Sequence, residues 1–324
     1  MYKLAIFSLS VALLCSCARK VDSASGGKSA PANGGGKSAP ATVRTDVHLY
    51  PVLVDGKWGY IDRDGKMAIK PQFTGGARFS HGMAAVQTQL AGKVGFIDET
   101  GKIVIPQQFK LADPFSEGYA AVLTFTDLKW GYIDTTGKIV VTPAYVAAGK
   151  FSEGLAPVAT AAGTSANYGY INTKGNAVIN QQYDSATPFG EGLAAVRSFG
   201  ELVKFIDTSG KTVIQPQFTT AGEFSDGLAP VEVKTTNGVR WGFINKKGDL
   251  AISGRFTNAQ PFQEGFAPVE TTNGKWGYIT PDSKLVIPDR YDKAERFYNG
   301  LAQVQVGPKV GYIDQTGKYV WESK

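Results

Sequence analysis

Residues 129–140 read Lys-Trp-Gly-Tyr-Ile-Asp-Thr-Thr-Gly-Lys-Ile-Val, and this stretch decides the fold because the chain repeats it. Close copies begin at Lys57 and Lys275, and weaker copies lie between and after them. The aromatic residue of the Gly-aromatic-Ile core recurs eight times, 34 to 38 residues apart, at Tyr60, Phe96, Tyr132, Tyr170, Phe205, Phe243, Tyr278 and Tyr312. A recurring period of this length indicates a repeat array.

Each copy has a part of fixed length and a part of variable length. The stretch from the core aromatic to a later glycine, such as Tyr132 to Gly154, has the same length in seven copies. The distance from that glycine to the next core aromatic varies from 12 to 16 residues. Because packed backbone resists insertion and solvated tips tolerate it, the variable segment is predicted to contain an exposed tip.

Each copy is predicted to form three short β-strands, exemplified by residues 154–158, 130–134 and 138–141. The Asp-x-x-Gly-Lys sequence between the last two, as in Asp134 to Lys138, is typical of a type I turn with a glycine at positive φ. One carboxylate per turn is typical, with Asp62 and Asp64 as an exception, whereas a calcium loop needs six or more oxygen ligands. A phenylalanine recurs in the link to the next copy and predicts a ladder of buried rings: Phe79, Phe115, Phe151, Phe189, Phe224, Phe262 and Phe297.

The fold class predicted from this pattern is all-β, with eight tandem three-stranded meander units. One such unit buries too little apolar surface to fold alone, so neighbouring units must stack. The stack is predicted to be either an open β-solenoid or superhelix, or a closed propeller-like ring. Propeller blades usually have four strands, and the termini often share one blade. Because the units here read as three-stranded and complete at both ends, we favour the open array and keep the closed ring as the alternative.

These residues resemble the WG-repeat family, formerly called KWG repeats, from about Leu49 to the C-terminus. The chain departs from the motif at a few positions: Val94, Tyr168, Val203 and Val310 replace the tryptophan, and Lys204 replaces the glycine. Members of the family are bacterial and often extracytoplasmic. The resemblance therefore implies a binding or scaffold role and no particular reaction.

Residues 1–16 are predicted to be a lipoprotein signal peptide. Lys3 precedes an apolar run from Leu4 to Leu14 that is too short for a stable membrane-spanning helix. The run ends in a sequence similar to a lipobox, in which Cys17 is the residue predicted to be lipidated. Cys15 fits this role less well because the bulky Leu14 precedes it. The alternative is an ordinary signal peptide with incidental cysteines.

Residues 17–43 are predicted to be the lipidated cysteine and a flexible tether, followed by the repeat domain at 44–324. The tether contains Gly-Gly-Lys-Ser-Ala-Pro-Ala twice and has almost nothing apolar to bury. Residues 1–43 hold five of the 34 basic residues and one of the 28 acidic ones, which leaves the repeat domain almost neutral. A neutral domain lacks the basic surface of a nucleic-acid binder, so no nucleic-acid partner is expected.

The sequence offers no constellation for catalysis. His48 and His81 are the only histidines, and no Ser/His/Asp group or glycine-rich cofactor loop accompanies them. Loss of Cys15 with the signal peptide leaves no free thiol for a disulfide or a cysteine metal site. We therefore expect no enzyme activity, no catalytic residue, no cofactor and no metal.

The predicted function is a binding scaffold, anchored in a bacterial cell envelope by the lipid on Cys17, at the outer membrane or cell surface. The expected partner is an unidentified envelope protein or a glycan. The candidate contact surface is the set of variable tips at 87–93, 123–129, 159–167, 197–201, 233–240, 271–275 and 305–309. The candidate contact residues are Trp58, Trp130, Tyr168, Trp241 and Trp276. If these side chains are exposed they can stack on sugars, and if they are buried they belong to the core. The alternatives are a structural envelope spacer, or an enzyme with a site in the divergent fourth and fifth copies.

Overall fold

The computed structural model describes residues 48–162, 165–236 and 238–324. Within these ranges the strands form eight antiparallel sheets of three or four strands, which we call blades 1 to 8 in chain order. The described residues contain no helix that is long and apolar enough to cross a membrane. The predicted signal peptide and tether, with Cys17, lie outside the described residues.

Four strand positions make up a blade. The first, a two-residue strand, is β4 (Gly75–Gly76), β8 (Leu111–Ala112), β12 (Ala147–Ala148), β16 (Ser185–Ala186), β23 (Asn258–Ala259) and β27 (Lys293–Ala294). The second is β1 (Tyr50–Val54), β5 (Met83–Gln87), β9 (Tyr119–Leu123), β13 (Leu155–Ala162), β17 (Ala194–Arg197), β20 (Ala229–Thr235), β24 (Ala267–Glu270) and β28 (Leu301–Val306). The third is β2 (Lys57–Ile61), β6 (Val94–Asp98), β10 (Trp130–Asp134), β14 (Ser165–Asn172), β18 (Val203–Ile206), β21 (Gly238–Ile244), β25 (Trp276–Ile279) and β29 (Lys309–Asp314). The fourth is β3 (Met67–Phe73), β7 (Ile103–Phe109), β11 (Ile139–Tyr145), β15 (Ala177–Tyr183), β19 (Thr212–Phe218), β22 (Leu250–Phe256), β26 (Leu285–Tyr291) and β30 (Tyr319–Glu322).

The two-residue strand is the element that the three-stranded prediction missed. It forms one edge of its sheet and pairs with the second strand, as Ala147 does with Ala159 and Ala148 with Val158. In blade 6 a single bridge from Ala221 to Val231 takes its place. Most of the units are therefore four-stranded. The sequence predicts only three strands because two residues are too few to show the alternation of apolar and polar residues that marks a strand.

The first and last blades contact each other and close the array into a ring. The Tyr50 hydroxyl of blade 1 donates to the backbone carbonyl of Asn299 in blade 8 at 2.6 Å. The Tyr312 hydroxyl of blade 8 donates to the backbone carbonyl of Pro51 in blade 1 at 2.9 Å. The Tyr50 and Tyr312 rings lie 5.4 Å apart within one buried cluster that also holds Val52 and Ile61. The all-β prediction is thus confirmed, and the chain is an eight-bladed propeller.

The favoured open solenoid is therefore wrong, and the closed-ring alternative is right. Propellers often share one blade between the termini, but this ring closes without a shared blade. In this ring each terminal sheet comes from one end of the chain, and packed side chains join blade 1 to blade 8 without a shared strand. Closure buries apolar faces that an open array would leave to solvent at both ends.

Aromatic pairs between adjacent blades form the repeating core. The core aromatic on the third strand of one blade packs against the recurring phenylalanine that follows the first strand of the next. Ring centroids are 4.6 to 5.1 Å apart in the pairs Tyr60–Phe79, Phe96–Phe115, Tyr132–Phe151, Tyr170–Phe189, Phe205–Phe224, Phe243–Phe262 and Tyr278–Phe297. All seven phenylalanines are buried, which confirms the predicted ladder.

The glycine of the Trp-Gly pair lies where a bulge brings the fourth strand close to the third. The register between β10 and β11 shifts around Gly131, and the fourth strand bends over this residue. A Cβ on Gly131 would lie 2.5 Å from the Val141 carbonyl oxygen and 2.8 Å from the Pro143 nitrogen. Blade 5 keeps the same bulge with Lys204 in place of the glycine, so its backbone accommodates a side chain there.

Candidate functional site

The topology divides the propeller into two faces with different sequence constraints. Each variable hairpin joins the second strand to the third, so all of these hairpins lie on one side of the ring, the tip face. The Asp-x-x-Gly-Lys turns join the third strand to the fourth and lie on the other side, the turn face. The Phe-Ser-Glu-Gly turns, which join the first strand to the second, share the turn face. Length variation is therefore confined to the tip face.

The turn-face aspartates are used within their own turns. Asp134 Oδ1 accepts the Thr136 amide at 2.9 Å, the Thr136 hydroxyl at 2.6 Å and the Lys138 amide at 3.1 Å. Slight burial opposes ionisation of Asp134, but the hydrogen bonds from Thr136 and Lys138 outweigh it and lower its pKa. Equivalent bonds occur at Asp62, Asp98, Asn172, Asp207, Asn245 and Asp314. The predicted turn role is confirmed, and the described residues contain no metal-ligating cluster.

The acidic residues of the Phe-Ser-Glu-Gly turns join neighbouring blades. The Glu117 carboxylate accepts the amides of Glu153 at 2.7 Å and Gly154 at 2.9 Å in the next blade. Glu264 does the same with the amides of Asn299 and Gly300. These carboxylates are structural acceptors that connect one blade to the next.

The tip face, in contrast, presents large apolar side chains to solvent. Leu90 is 80% exposed and Phe199 is 93% exposed, and Phe125 and Leu128 are also exposed. A cleft of about 370 Å³ lies between the tips of blades 2 and 3, lined by Gln89, Ala91, Gly92, Lys93, Gln107 and Phe125. An exposed phenylalanine or leucine on a hairpin tip contributes little to the core, and its apolar surface is available for contact with another molecule.

The five aromatic residues proposed as sugar contacts are only partly exposed. They occupy equivalent positions on the third strands of five different blades and pack against the buried clusters of those blades: Trp58, Trp130, Tyr168, Trp241 and Trp276. Trp130, for example, pairs across the sheet with Tyr145. The structure does not bring the five together, and it places them in the packing role that the sequence offered as the alternative.

A cluster of charged side chains lies on the axis of the ring. Glu223 of blade 6 contacts Lys150 of blade 4 at 3.0 Å and Arg296 of blade 8 at 2.8 Å. Each contact joins blades that are two places apart, which is possible only where the blades converge. Burial opposes ionisation of Glu223, but Lys150 and Arg296 outweigh it and lower its pKa. Burial also lowers the pKa of Arg78 in blade 2, and the nearby Arg296 adds to the effect.

Neither the axial cluster nor the exposed apolar side chains of the tips are among the residues predicted from the sequence. The axial positions do carry a signal, because the residue before each laddered phenylalanine alternates between charge and proline: Arg78, Pro114, Lys150, Pro188, Glu223, Pro261 and Arg296. This alternation has twice the repeat period. The alternation is therefore absent from the set of features that every copy shares.

Asp113 is a partly buried carboxyl that no described residue pairs with. Burial raises its pKa from 3.8 to about 6. Between these pH values the folded chain binds more protons than the unfolded chain, so stability falls as pH rises through this window. Asp113→Asn should therefore stabilise the protein at pH 7 by about 1–3 kcal/mol, and the gain should vanish below about pH 4. Urea unfolding at both pH values measures this difference, and an equal effect at both would contradict the assignment.

Comparison with known families identifies the repeat. The family model described as WG containing repeat matches residues 58–89, 95–124, 130–160, 168–198, 205–234, 241–276 and 276–309. The chain belongs to this family. Most WG matches run from the third strand of one blade to the second strand of the next, as 130–160 does. The WG repeat is therefore offset from the blade, and each repeat spans the aromatic contact between two blades.

Solved structures resemble the WG propeller at low sequence identity. The computationally designed Ika8 protein superposes with a TM-score of 0.50 at 13% identity, over 78% of this chain and 86% of that one. Apo AztD from Citrobacter koseri gives 0.49 at 13% identity, over 86% and 94% of the two chains. BamB from Moraxella catarrhalis gives 0.47 at 13% identity, over 79% and 92%. Such likeness concerns the fold alone, and no curated protein matches the chain.

Proposed function

We propose that the protein is a scaffold that binds a protein partner through its tip face and is held at the bacterial cell envelope by a lipid on Cys17. The observation that carries the proposal is the exposure of Leu90, Phe125, Leu128 and Phe199 on hairpins whose length varies from blade to blade. Rigid scaffolds commonly place recognition on such loops. An eight-membered ring holds the tips in fixed relative positions, so a partner meets a preorganised surface.

A protein partner fits the tip face better than a glycan does. The five aromatic residues predicted for sugar stacking are only partly exposed and pack against the core. The large apolar side chains that the tips do expose are leucine and phenylalanine, which suit apolar pockets on a protein. Lys93, whose ammonium lies 5.8 Å from the centre of the Phe125 ring, adds a charged group at the edge of the cleft.

Replacing the apolar tips should abolish partner binding without unfolding the ring. In the double variant Phe125→Ser/Phe199→Ser, capture of the partner from a solubilised envelope extract should fall at least about tenfold, because aromatic anchors often dominate such interfaces. The unfolding free energy should change by no more than about 0.5 kcal/mol per site, since both rings are exposed. Quantitative mass spectrometry of captured proteins and urea unfolding measure the two effects.

The control is a double variant on the outer rim, Ile103→Ser/Val213→Ser, whose side chains are exposed on fourth strands and not on tips. It should capture the partner as the unmodified chain does. Prior protease treatment of the extract should abolish capture. Capture that survives protease would indicate a glycan instead, and no specific capture at all would favour a structural spacer.

Lipidation at Cys17 is tested by Cys17→Ala. The variant should leave the membrane fraction or accumulate with its signal peptide uncleaved, because the acyl chains are the proposed anchor. Cys15→Ala is the matched control and should stay in the membrane fraction. Intact mass spectrometry of the mature N-terminus supplies the readout. Membrane association of a mature chain that carries no acyl mass would refute the anchor.

A further inference from the structure

The axial cluster described above has more positive than negative charge. Its four members come from the even-numbered blades: Arg78 from blade 2, Lys150 from blade 4, Glu223 from blade 6 and Arg296 from blade 8. Glu223 is the one carboxylate among them, and it is shared between Lys150 and Arg296. The equivalent positions in blades 3, 5 and 7 are prolines, which carry no charge and do not reach across the axis.

Arg78 forms no ion pair with the other three members of the cluster. Among the described residues, no carboxylate lies within ion-pair distance of its guanidinium, whose central carbon is 5.2 Å from the centre of the Tyr298 ring. Arg78 is also close enough to Arg296 for the two positive charges to repel each other. Glu295 and Glu223 are the acidic groups near Arg78, and burial raises the pKa of Glu295 against the opposing effect of Arg296 and Arg78.

The cluster is also accessible to small solutes. The surrounding blades are close enough to Arg78 to lower its pKa, yet the Arg78 and Lys150 side chains keep solvent-exposed surface. The Glu223 side chain, in contrast, is largely buried between its two partners. The cluster follows the two-residue strands in the chain, so it lies towards the turn face and away from the tip face. A small molecule can therefore reach the cations without disturbing a protein bound to the tips.

We propose that the propeller axis is a binding site for a small oxyanion, a phosphate or carboxylate group held by Arg78 together with Lys150 and Arg296. The planar guanidinium of Arg78 presents parallel N–H donors that match two oxygens of such a group. The anion relieves the repulsion between Arg78 and Arg296. Convergence of side chains from alternate blades makes the site depend on the closed ring.

Titration with two anions tests the site. Unfolding midpoints are measured for the full chain in sodium phosphate and in sodium succinate, with chloride adjusted to keep ionic strength constant and so equalise screening. A ligand that binds only the folded state raises the midpoint in a saturable manner. At least one of the two anions should do so, and the comparison of phosphate with succinate shows which oxyanion class the site prefers.

Variants locate the effect on the axis. Arg78→Gln should weaken anion binding at least about tenfold, as expected for loss of a charge-assisted contact. Glu223→Gln should strengthen it, because the substitution releases Lys150 and Arg296. The matched control is Lys174→Gln, which removes one exposed positive charge from a turn outside the axis and should bind as the unmodified chain does.

The proposal fails if neither anion stabilises the unmodified chain in a saturable manner, or if Arg78→Gln binds with an unchanged dissociation constant. If Arg78→Gln does not fold, Lys150→Gln provides the same test from another blade of the ring, and unchanged binding in that variant overturns the proposal. Loss of anion binding should leave partner capture by the tips intact, so this result is separable from the test of the proposed scaffold function.

Discussion

Phe151→Ala should lower the unfolding free energy by about 3–5 kcal/mol, the usual loss for a fully buried large aromatic side chain. Phe151 has no solvent exposure, and its ring centre lies 4.6 Å from that of Tyr132 and 5.2 Å from that of Tyr119 in the preceding blade. The cavity therefore opens at the contact between blades 3 and 4. Urea unfolding monitored by tryptophan fluorescence measures the loss, and hydrogen exchange should show weakened protection in both blades.

The matched control for this substitution is Phe199→Ala, which removes the same side chain from a tip where it is 93% exposed. That variant should change the unfolding free energy by no more than about 0.5 kcal/mol. A loss below about 1 kcal/mol for Phe151→Ala would mean that neighbouring side chains fill the cavity at little cost and that the ladder does not hold the blades together.

Tyr312→Ala should destabilise the protein by a similar amount, about 3–5 kcal/mol, by breaking the contact between the first and last blades. Tyr312 is buried, its hydroxyl donates to the Pro51 carbonyl, and its ring packs against Tyr50 and Trp321. Loss of this ring exposes the closing faces of blades 1 and 8. The midpoint of urea unfolding measures the stability, and distances between spin labels on Leu53 and Val306 report separation of the two blades.

Tyr312→Phe is the control, because it keeps the ring and removes only the hydroxyl. It should cost about 0.5–1.5 kcal/mol, the net value of one hydrogen bond, and leave the label distance unchanged. If Tyr312→Ala leaves both stability and distance as they are in the unmodified chain, the ring does not depend on this contact for closure.

The repeat pattern predicted the local structure well because local structure depends on short-range features. The turn from Asp134 to Gly137 follows from one carboxylate and one glycine at fixed spacing, and the hydrogen bonds confirm it. The phenylalanine ladder was predictable because an apolar ring that recurs in every copy must be buried by stacking. Exposed tips were predictable from length variation alone. The turn can be predicted from one copy of the repeat, and the ladder and the tips can be predicted by comparing one copy with the next.

Closure of the ring could not be read from the repeat, because it depends on the angle between successive blades. That angle is set by side-chain packing at every interface, as between Tyr132 and Phe151, and small differences summed over eight units decide whether the ends meet. Contacts such as Tyr50 with Asn299 join residues from opposite ends of the chain and leave no periodic trace. The two-residue first strands were hidden for another reason, since they are too short to show alternation.

The sequence by itself determined that this chain is an all-β array of WG repeats with fixed turns and variable tips, because those features recur at constant spacing. Only the tertiary structure decided that the array closes, that Trp58 and its equivalents pack against the core, and that Arg78, Lys150, Glu223 and Arg296 meet on one axis. The physical reason is that convergence requires a closed ring. Charged residues that lie two blades apart become neighbours only when eight blades share a centre.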